Sequence, residues 1–386
     1  MRNTNFSETF IDDFFVNNFG KSYLHKKNII KNSQNIMNLS ILNEILSKRS
    51  YWNNKNFKMV LDRQPINYSN FSSLVLEQGL EMLRPDVDKV QNWISKGSSL
   101  VLNEIETITN KLDDIIIELQ NLTNGKCQGN LYFSMQSRQA FGPHCDHHDV
   151  FAIHFEGEKV WNIYENIEKN PINHPMFKFN AEEREKRAGK LIDQVTLKPG
   201  DLLYLPRGQY HDALASKNGA IHIAFGFTYF KPIDLFSILW EKFIVNDHMR
   251  QDIEKDVTNE ALKNHLKKMS LEIDNIINDP QNINIASQCI KNWPDKINNY
   301  SLNTIISKGK SYTVQKSIKI EINGHDTFLT NSKDKVLIPS NYVEITNFIL
   351  KHEIVFEKDI LDYFKHLKKH LVLECISNLL KMKVIN

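Results

Sequence analysis

The feature that most constrains the fold is a strand-like stretch over residues 141–161, which reads FGPHCDHHDVFAIHFEGEKVW. In an extended strand, side chains two apart point to the same face, so His144 and Asp146 project together. A second imidazole, His211, closes the later stretch LKPGDLLYLPRGQYH. Two imidazoles and one carboxylate on one side of an ion leave its other side open, which suits non-haem Fe(II). The sequence therefore predicts two distant strands that meet around a metal.

Turn and strand signals around these residues strengthen the prediction, since an HxD pair alone is weak evidence in a chain with 14 histidines. Residues 150–155 alternate with β-branched and aromatic side chains, and Glu156-Gly157 indicates a turn into a second strand over 159–164. The turn at Pro199-Gly200 precedes an apolar strand over 202–205. All three ligands are thus expected on strands or at strand ends.

The combined pattern NLYFSMQSRQAFGPHCDHHDVFAIHFEGEKVW, followed by KPGDLLYLPRGQYH, resembles the Jumonji-C (cupin-like) 2-oxoglutarate oxygenases, and specifically their ribosomal-oxygenase branch. The resemblance is strong over residues 130–227. It implies an α+β protein built on a double-stranded β-helix, the jelly-roll or cupin core. It also implies Fe(II) held by His144, Asp146 and His211, with 2-oxoglutarate as co-substrate and O₂ as oxidant.

The resemblance assigns the distal carboxylate of 2-oxoglutarate to Lys159, where the family carries a lysine or arginine. A lysine inside a barrel without an anion would be costly, which favours this role over a solvated lysine at the predicted hairpin turn. Tyr132 and Ser134 alternate on the preceding strand and are further candidates for the same carboxylate.

The chain departs from the family at some of these positions. Many relatives carry Thr-Pro at Ser134-Met135, and small polar residues where this chain has Ala220 and Ala224. Part of the hydrogen bonding to the co-substrate is therefore expected to differ. The roles of His147, His148 and His222 stay open.

Periodicity divides the chain into three predicted parts. Residues 1–230 form the oxygenase domain with a helical N-terminal cover, including an amphipathic helix over 104–122. Residues 231–300 are helical with surplus apolar positions, which, with the resemblance, predicts a homodimer. Residues 301–386 resemble a winged-helix domain, with a hairpin at Asn323-Gly324 and a closing apolar strand. We favour a scaffold or docking role for this part over DNA reading.

Composition bounds the partners and the compartment. A net charge of +2 does not require nucleic acid and does not exclude it. The four cysteines lack CxxC spacing, no run of about 18 apolar residues would cross a membrane, and the N-terminus lacks a secretory pattern. A cytoplasmic location is expected.

The function predicted from these features is hydroxylation of an amino-acid side chain in a protein or peptide, with ribosomal proteins among the candidates. Demethylation is less favoured because nothing suggests a methyl-lysine cage. The alternatives are an oxygenase acting on a tRNA nucleoside, a free amino acid or a peptide natural product, and a non-catalytic metal-binding cupin. A Mn or Zn cupin enzyme would be expected to use three histidines and one carboxylate.

Overall fold

The computed structural model describes residues 8–135, 141–293, 309–324, 326–331 and 335–386. Contacts divide the chain into two compact units, Met1–Lys296 and Ile297–Asn386. The predicted three-part division stays a prediction, and its boundary at residue 300 lies outside the described residues.

The first unit is organised by a nine-stranded antiparallel sheet in the order β1-β10-β8-β11-β7-β6-β2-β3, with β9 paired to β8. A separate hairpin consists of β4 and β5. The strands are β1 Leu24–Lys26, β2 Phe57–Leu61, β3 Gln64–Pro65, β4 Ser72–Glu77, β5 Leu80–Pro85, β6 Ser99–Asn103, β7 Lys126–Ser134, β8 Asp149–Ile167, β9 Leu191–Leu197, β10 Leu202–Leu205 and β11 Gln209–Thr228.

Helices precede the sheet, interrupt it and follow it in sequence. They are α1 Glu8–Asn17, α2 Ser33–Ile36, α3 Leu39–Leu46, α4 Val87–Ser95, α5 Asp113–Thr123, α6 Ala181–Ala188, α7 Asp234–Ile238, α8 Trp240–Val245, α9 Asn259–Asn278 and α10 Pro280–Lys291. The predicted N-terminal cover is present: the Asn38 side chain caps α3 by accepting a hydrogen bond from the Ile41 amide at 2.9 Å. This helix buries Ile41, Leu42 and Ile45.

The helix predicted over residues 104–122 is wrong in its first half. Two 3₁₀ turns, Ile105–Thr107 and Asn110–Leu112, come before α5. Glu104 has a left-handed backbone (φ 60°), and Thr109 between the turns is extended. An α-helix cannot pass through either conformation. The predicted C-terminal end of this helix is confirmed to within one residue. Helix α5 ends at Thr123, and the next residue, Asn124, has a left-handed backbone at φ 53°.

The hairpin predicted at Glu156-Gly157 is also wrong, because β8 continues through it as one bent strand. Its first half pairs with β10 and its second half with β9. Strand β11 is likewise continuous over Gln209–Thr228, and its register against β8 shifts between Ala215 and Ala220. Gly157 lies at this bend with φ +69°, opposite the backbone of Gly219. The bend lets β8 pair first with β10 and then with β9, while β11 pairs with β7 only after its register shift.

Replacing Gly157 by alanine is expected to destabilise the protein strongly. A Cβ there would lie 1.9 Å from the Gly219 carbonyl oxygen, and φ is +69°. Backbone cannot move aside as a side-chain end can, so we expect a loss of about 3 kcal/mol or more in the free energy of unfolding. Gly79→Ala is the control: φ is +82° but nothing lies within 4 Å, which predicts a loss of about 1 kcal/mol. Urea unfolding measures both, and equal losses would contradict the steric argument.

The described residues of the second unit form short strands and three α-helices around one apolar core. The helices are Val343–Leu350, Glu357–Tyr363 and Lys369–Lys381, and the strands are β12 Ser311–Thr313, β13 Lys319–Asn323, β14 Asp326–Thr330, β15 Lys335–Ile338 and β16 Ile354–Phe356. The predicted hairpin is confirmed, with Asn323 paired to Asp326. The predicted closing strand is only an isolated bridge between Val314 and Ile385. Across the described residues of the whole chain, no helix has the length and apolarity that a membrane crossing requires.

Candidate metal and co-substrate site

The backbone holds the three predicted metal ligands together. His144 and His211 form an antiparallel bridge, in which the His144 amide donates to the His211 carbonyl at 3.0 Å and the His211 amide donates back at 2.8 Å. The Gly208 amide donates to the Asp146 carbonyl at 2.9 Å. The segment that carries His144 and Asp146 is thereby fastened to the start of β11, which carries His211.

The imidazole orientations leave one nitrogen of each ring available. Nδ1 of His144 lies 2.9 Å from the Gly142 carbonyl, and Nδ1 of His211 lies 2.9 Å from the Gln209 carbonyl. A ring that donates through Nδ1 presents the Nε2 lone pair, as metal-bound histidines commonly do. Nε2 of His211 is 3.6 Å from an Asp146 carboxylate oxygen. One ligand atom from each of His144, Asp146 and His211 lies within 4.8 Å of the others.

The charge states that the surroundings favour suit cation binding. Burial, together with the neighbouring His144, lowers the pKa of His211 to about 4, so the ring is neutral at pH 7. Burial would raise the pKa of Asp146, but four imidazoles, His148 foremost, keep it below its usual value. A neutral imidazole and an ionised carboxylate are the forms that bind a divalent metal.

A carboxylate next to His211 fixes its strand against β8. The buried Asp212 side chain accepts hydrogen bonds from the Asn162 amide at 2.8 Å and the Tyr164 hydroxyl at 2.6 Å. Both donors are on β8. These side-chain bonds add to the ladder between β8 and β11 at the ligand position.

Lys159 is on β8 and lines the same cavity as the three ligands. Only 5% of its surface is exposed, and in the described part of the chain no carboxylate pairs with its ammonium. Its Nζ lies 5.8 Å from the ring centre of Tyr132 and 5.9 Å from that of Trp161. Burial lowers the pKa of Lys159 to about 7. A buried cation without an anion is a costly arrangement that an anionic ligand would relieve.

The other two predicted co-substrate residues are placed differently from each other. Tyr132 lines the cavity, and its ring stacks on His222 with centroids 4.7 Å apart. Ser134 is buried but does not line this cavity, and its hydroxyl accepts a hydrogen bond from Ser99 at 2.8 Å. The structure therefore brings Tyr132 and Lys159 together with the ligands, and places Ser134 outside the lining.

Among the lining residues without a role assigned from the sequence, two carry polar ring nitrogens, Trp161 and His222. Trp161 stacks on His211 at 5.7 Å, and its buried indole nitrogen has no hydrogen-bond partner among the described residues. His222 packs between Tyr132 and His154, and its buried Nδ1 also lacks such a partner. The alternation along β8 could have revealed Trp161, because it is two residues after Lys159. Both orphaned atoms fit a polar ligand inside the cavity.

The two histidines that follow Asp146 do not line the cavity. His148 packs against Gly226, where an added Cβ would lie 2.7 Å from its ring. Its Nδ1 lies 3.2 Å from the Asp149 carbonyl oxygen. His147 is half-buried beside it, with ring centroids 4.8 Å apart. Their shared effect on the site is the lowered pKa of Asp146.

Comparison with known proteins agrees with this geometry. The model of the JmjC domain matches residues 100–235. The "Bifunctional lysine-specific demethylase and histidyl-hydroxylase NO66" of Dictyostelium discoideum is 29% identical over 219 residues, which is 56% of this chain and 40% of that protein. "Ribosomal oxygenase 2" of Bos taurus is 31% identical over 123 residues, 32% of this chain and 25% of that protein. The chain thus spans less than half the length of these relatives.

Solved structures show the same fold at low identity. The X-ray structure of E. coli YcfD covers 97% of both chains with a TM-score of 0.54 and 16% identity. A structure of YcfD, named a ribosomal oxygenase, in complex with cobalt and 2-oxoglutarate covers the same share with a TM-score of 0.52 and 15% identity. The predicted cupin-type α+β fold is confirmed. Residues 100–235 match the JmjC domain, and the chain is similar to the NO66 and ribosomal oxygenase proteins over the shares given above.

Proposed function

We propose that this protein is an Fe(II)- and 2-oxoglutarate-dependent oxygenase that hydroxylates an amino-acid side chain in a protein or peptide. One observation carries the proposal: His144, Asp146 and His211 line the cavity in which Lys159 is buried, and no described carboxylate pairs with its ammonium. The three ligands form a site for a divalent metal, and the buried ammonium of Lys159 lies beside it. This pair of positive charges suits the binding of dianionic 2-oxoglutarate together with the metal. The names of the similar proteins, which include histidyl-hydroxylase and ribosomal oxygenase, agree with the proposed hydroxylation.

Each residue has a part in this chemistry. When bound, Fe(II) supplies the reaction of O₂ with 2-oxoglutarate, which yields succinate and CO₂ and places one oxygen atom in a substrate C–H bond. Nε2 of both histidines and the Asp146 carboxylate would hold the metal. Lys159 would neutralise the distal carboxylate of 2-oxoglutarate, and Tyr132 and Trp161 would donate hydrogen bonds within reach of it. Phe141, 5.8 Å from the His144 ring, covers the metal side of the cavity.

Succinate production tests the proposal. Purified protein is incubated with Fe(II), ascorbate and 2-oxoglutarate, with and without ribosomes and soluble proteins from a lysate. We expect succinate that the lysate stimulates and that His211→Ala abolishes. Bound iron without succinate under either condition would instead favour a non-catalytic metal-binding cupin.

A homodimer through the segment α7–α10 belongs to the proposal. Apolar side chains there remain exposed on the single chain, among them Trp240 at 59%, Phe236 and Val245. Exposed apolar groups of this density are typical of an interface.

The second unit, with its helices and hairpin, is proposed as a winged-helix-like docking module. Four unpaired cysteines agree with a cytoplasmic location.

Trp240→Glu is expected to dissociate this dimer. A charge in place of a central aromatic residue costs about 2–4 kcal/mol of association free energy, so light scattering at micromolar concentration should change from the dimer mass to the monomer mass. Leu76→Glu is the matched control, since Leu76 is exposed on the β4–β5 hairpin away from this segment. A wild-type protein that is already monomeric, or dissociation by the control alone, would contradict the assignment.

A further inference from the structure

A groove of about 360 Å³ opens beside the metal cavity and shares two lining residues with it, Tyr132 and Phe141. Its other lining residues include Lys58, Val60 and Val101 on β2 and β6. Cavities of this size accommodate small molecules and side chains. The groove therefore lies directly beside the cavity that His144, Asp146 and His211 line.

Strand register explains why the groove and the cavity lie side by side. Lys58 pairs with Val101, Val101 pairs with Tyr132, and Tyr132 pairs with His222 across four neighbouring strands. Directly paired residues share one face of a sheet. Val60, Val101 and Tyr132 pack together as a small apolar cluster on that face. One sheet face thus extends from the exposed Lys58, through an apolar section, to the co-substrate cavity.

The charges along this face are unusual for a site that receives a basic side chain. Asp146, a metal ligand in the proposed function, is the only carboxylate among the described residues that line the groove and the cavity. The charged side chains that remain are Lys58 and Lys159, both cationic. An ammonium or guanidinium that entered would lose its water and, among the described lining residues, find no carboxylate other than the metal ligand Asp146, which is costly. Cationic neighbours would add repulsion.

Aromatic rings could in principle receive a methylated ammonium instead. The ring of Tyr132 is already approached by the chain's own cation, with Lys159 Nζ at 5.8 Å from its centre. The ring also stacks on His222. Tyr132, one of the two aromatic residues that the groove and the cavity share, is therefore poorly suited to a second cation.

We propose that the groove receives an uncharged side chain of the protein or peptide substrate, and that Lys58 at its outer end disfavours substrates with lysine or arginine at or beside the target. The inference rests on the proposed oxygenase function and narrows its substrate class. The inference favours hydroxylation of neutral residues over hydroxylation of arginine and over demethylation of lysine.

The test identifies oxidised residues without assuming a substrate. Cell proteins and ribosomes are digested at acidic residues, and the peptides are incubated with the enzyme, Fe(II), ascorbate, 2-oxoglutarate and isotopically heavy O₂. Mass spectrometry locates each residue that gains heavy oxygen, with His211→Ala as the blank. We expect uncharged residues to be labelled at least about tenfold more often, per residue present, than lysine and arginine. Label on lysine or arginine, or loss of methyl groups from lysine, at an equal rate would overturn the inference, since demethylation releases its oxygen atom as formaldehyde and leaves no label on the residue.

A charge reversal at the groove then tests its location. The best labelled peptide is compared with a copy that has lysine beside the target, using wild type, Lys58→Glu and the control Lys111→Glu. Both replaced lysines are exposed, so neither change should unfold the protein. We expect Lys58→Glu to improve the lysine-containing peptide relative to its parent by about fivefold or more, and Lys111→Glu to change nothing. Equal behaviour of the two variants would remove the groove from the substrate path.

Calorimetry of 2-oxoglutarate binding to the Mn(II)-loaded protein tests the oxygenase function separately from the substrate inference, because the measurement needs no peptide. Absence of binding would contradict the oxygenase function itself. Binding without label on any peptide would overturn the substrate inference alone.

Discussion

Single replacement of His144, Asp146 or His211 by alanine is expected to reduce Fe(II)-dependent succinate formation by about a thousandfold or more, since an open metal site loses its ion when one of three ligands is removed. His147→Ala is the matched control, because it is adjacent in sequence but does not line the cavity. We expect the control to keep activity within about fivefold, as the positions away from substrate and metal usually do.

Metal binding provides a readout that is independent of turnover. Co(II) titration followed by visible absorbance should show one site in wild type and His147→Ala, and none at comparable affinity in the three ligand variants. Retention of Co(II) by His211→Ala would show that the ion lies elsewhere. Loss of Co(II) in His147→Ala would assign that histidine to the metal.

Replacement of Lys159 by methionine is expected to weaken 2-oxoglutarate binding by about a hundredfold, equivalent to about 2–3 kcal/mol for a charged hydrogen bond. The same change should stabilise the ligand-free protein by about 1–3 kcal/mol, because it removes a buried cation that no described carboxylate neutralises. Lys198→Met is the control, since its ion pair with Glu158 is exposed and contributes little. A lysine with only a packing role would lose stability on replacement and leave 2-oxoglutarate affinity unchanged.

The pH dependence has a definite sign. The pKa of Lys159 is about 7 in the folded protein against 10.5 ordinarily, so the unfolded chain holds more protons between these values. Stability of the ligand-free protein therefore rises with pH across that window. A bound dianion would raise the pKa of Lys159, so 2-oxoglutarate binding should take up a proton above pH 7 and weaken as pH rises. Calorimetry in buffers of different ionisation enthalpy measures this uptake, which Lys159→Met should abolish.

Much of the candidate site could be predicted because it depends on local alternation. The spacing of His144 and Asp146 fixes their common face without knowledge of the fold. The apolar run of β10 is bounded by a turn, and its predicted extent over residues 202–205 is confirmed. The metal role of these residues stays a prediction that the placement supports.

The rest depends on partners distant in sequence. Ser134 has the alternation of an inward residue, but its hydroxyl meets Ser99 of the neighbouring strand, and only strand pairing reveals this contact. The sequence around Gly157 has the local pattern of a turn. The strand is continuous because it pairs with the backbone near Gly219, which is 62 residues away in sequence. The groove likewise needs the register of β2, β6 and β7. The left-handed backbone of Glu104 has no local signal, since glycine or asparagine is usual there.

The bridge between His144 and His211 has a consequence for iron supply. Because peptide groups, rather than the ion, hold these two residues side by side, departure of iron should leave the ligand frame assembled. Reloading would then require no refolding, unlike zinc domains whose structure depends on the metal. The activity of such a protein would follow the free iron concentration of the cell reversibly. When iron is scarce, folded metal-free protein would accumulate, and it would regain activity when iron binds again.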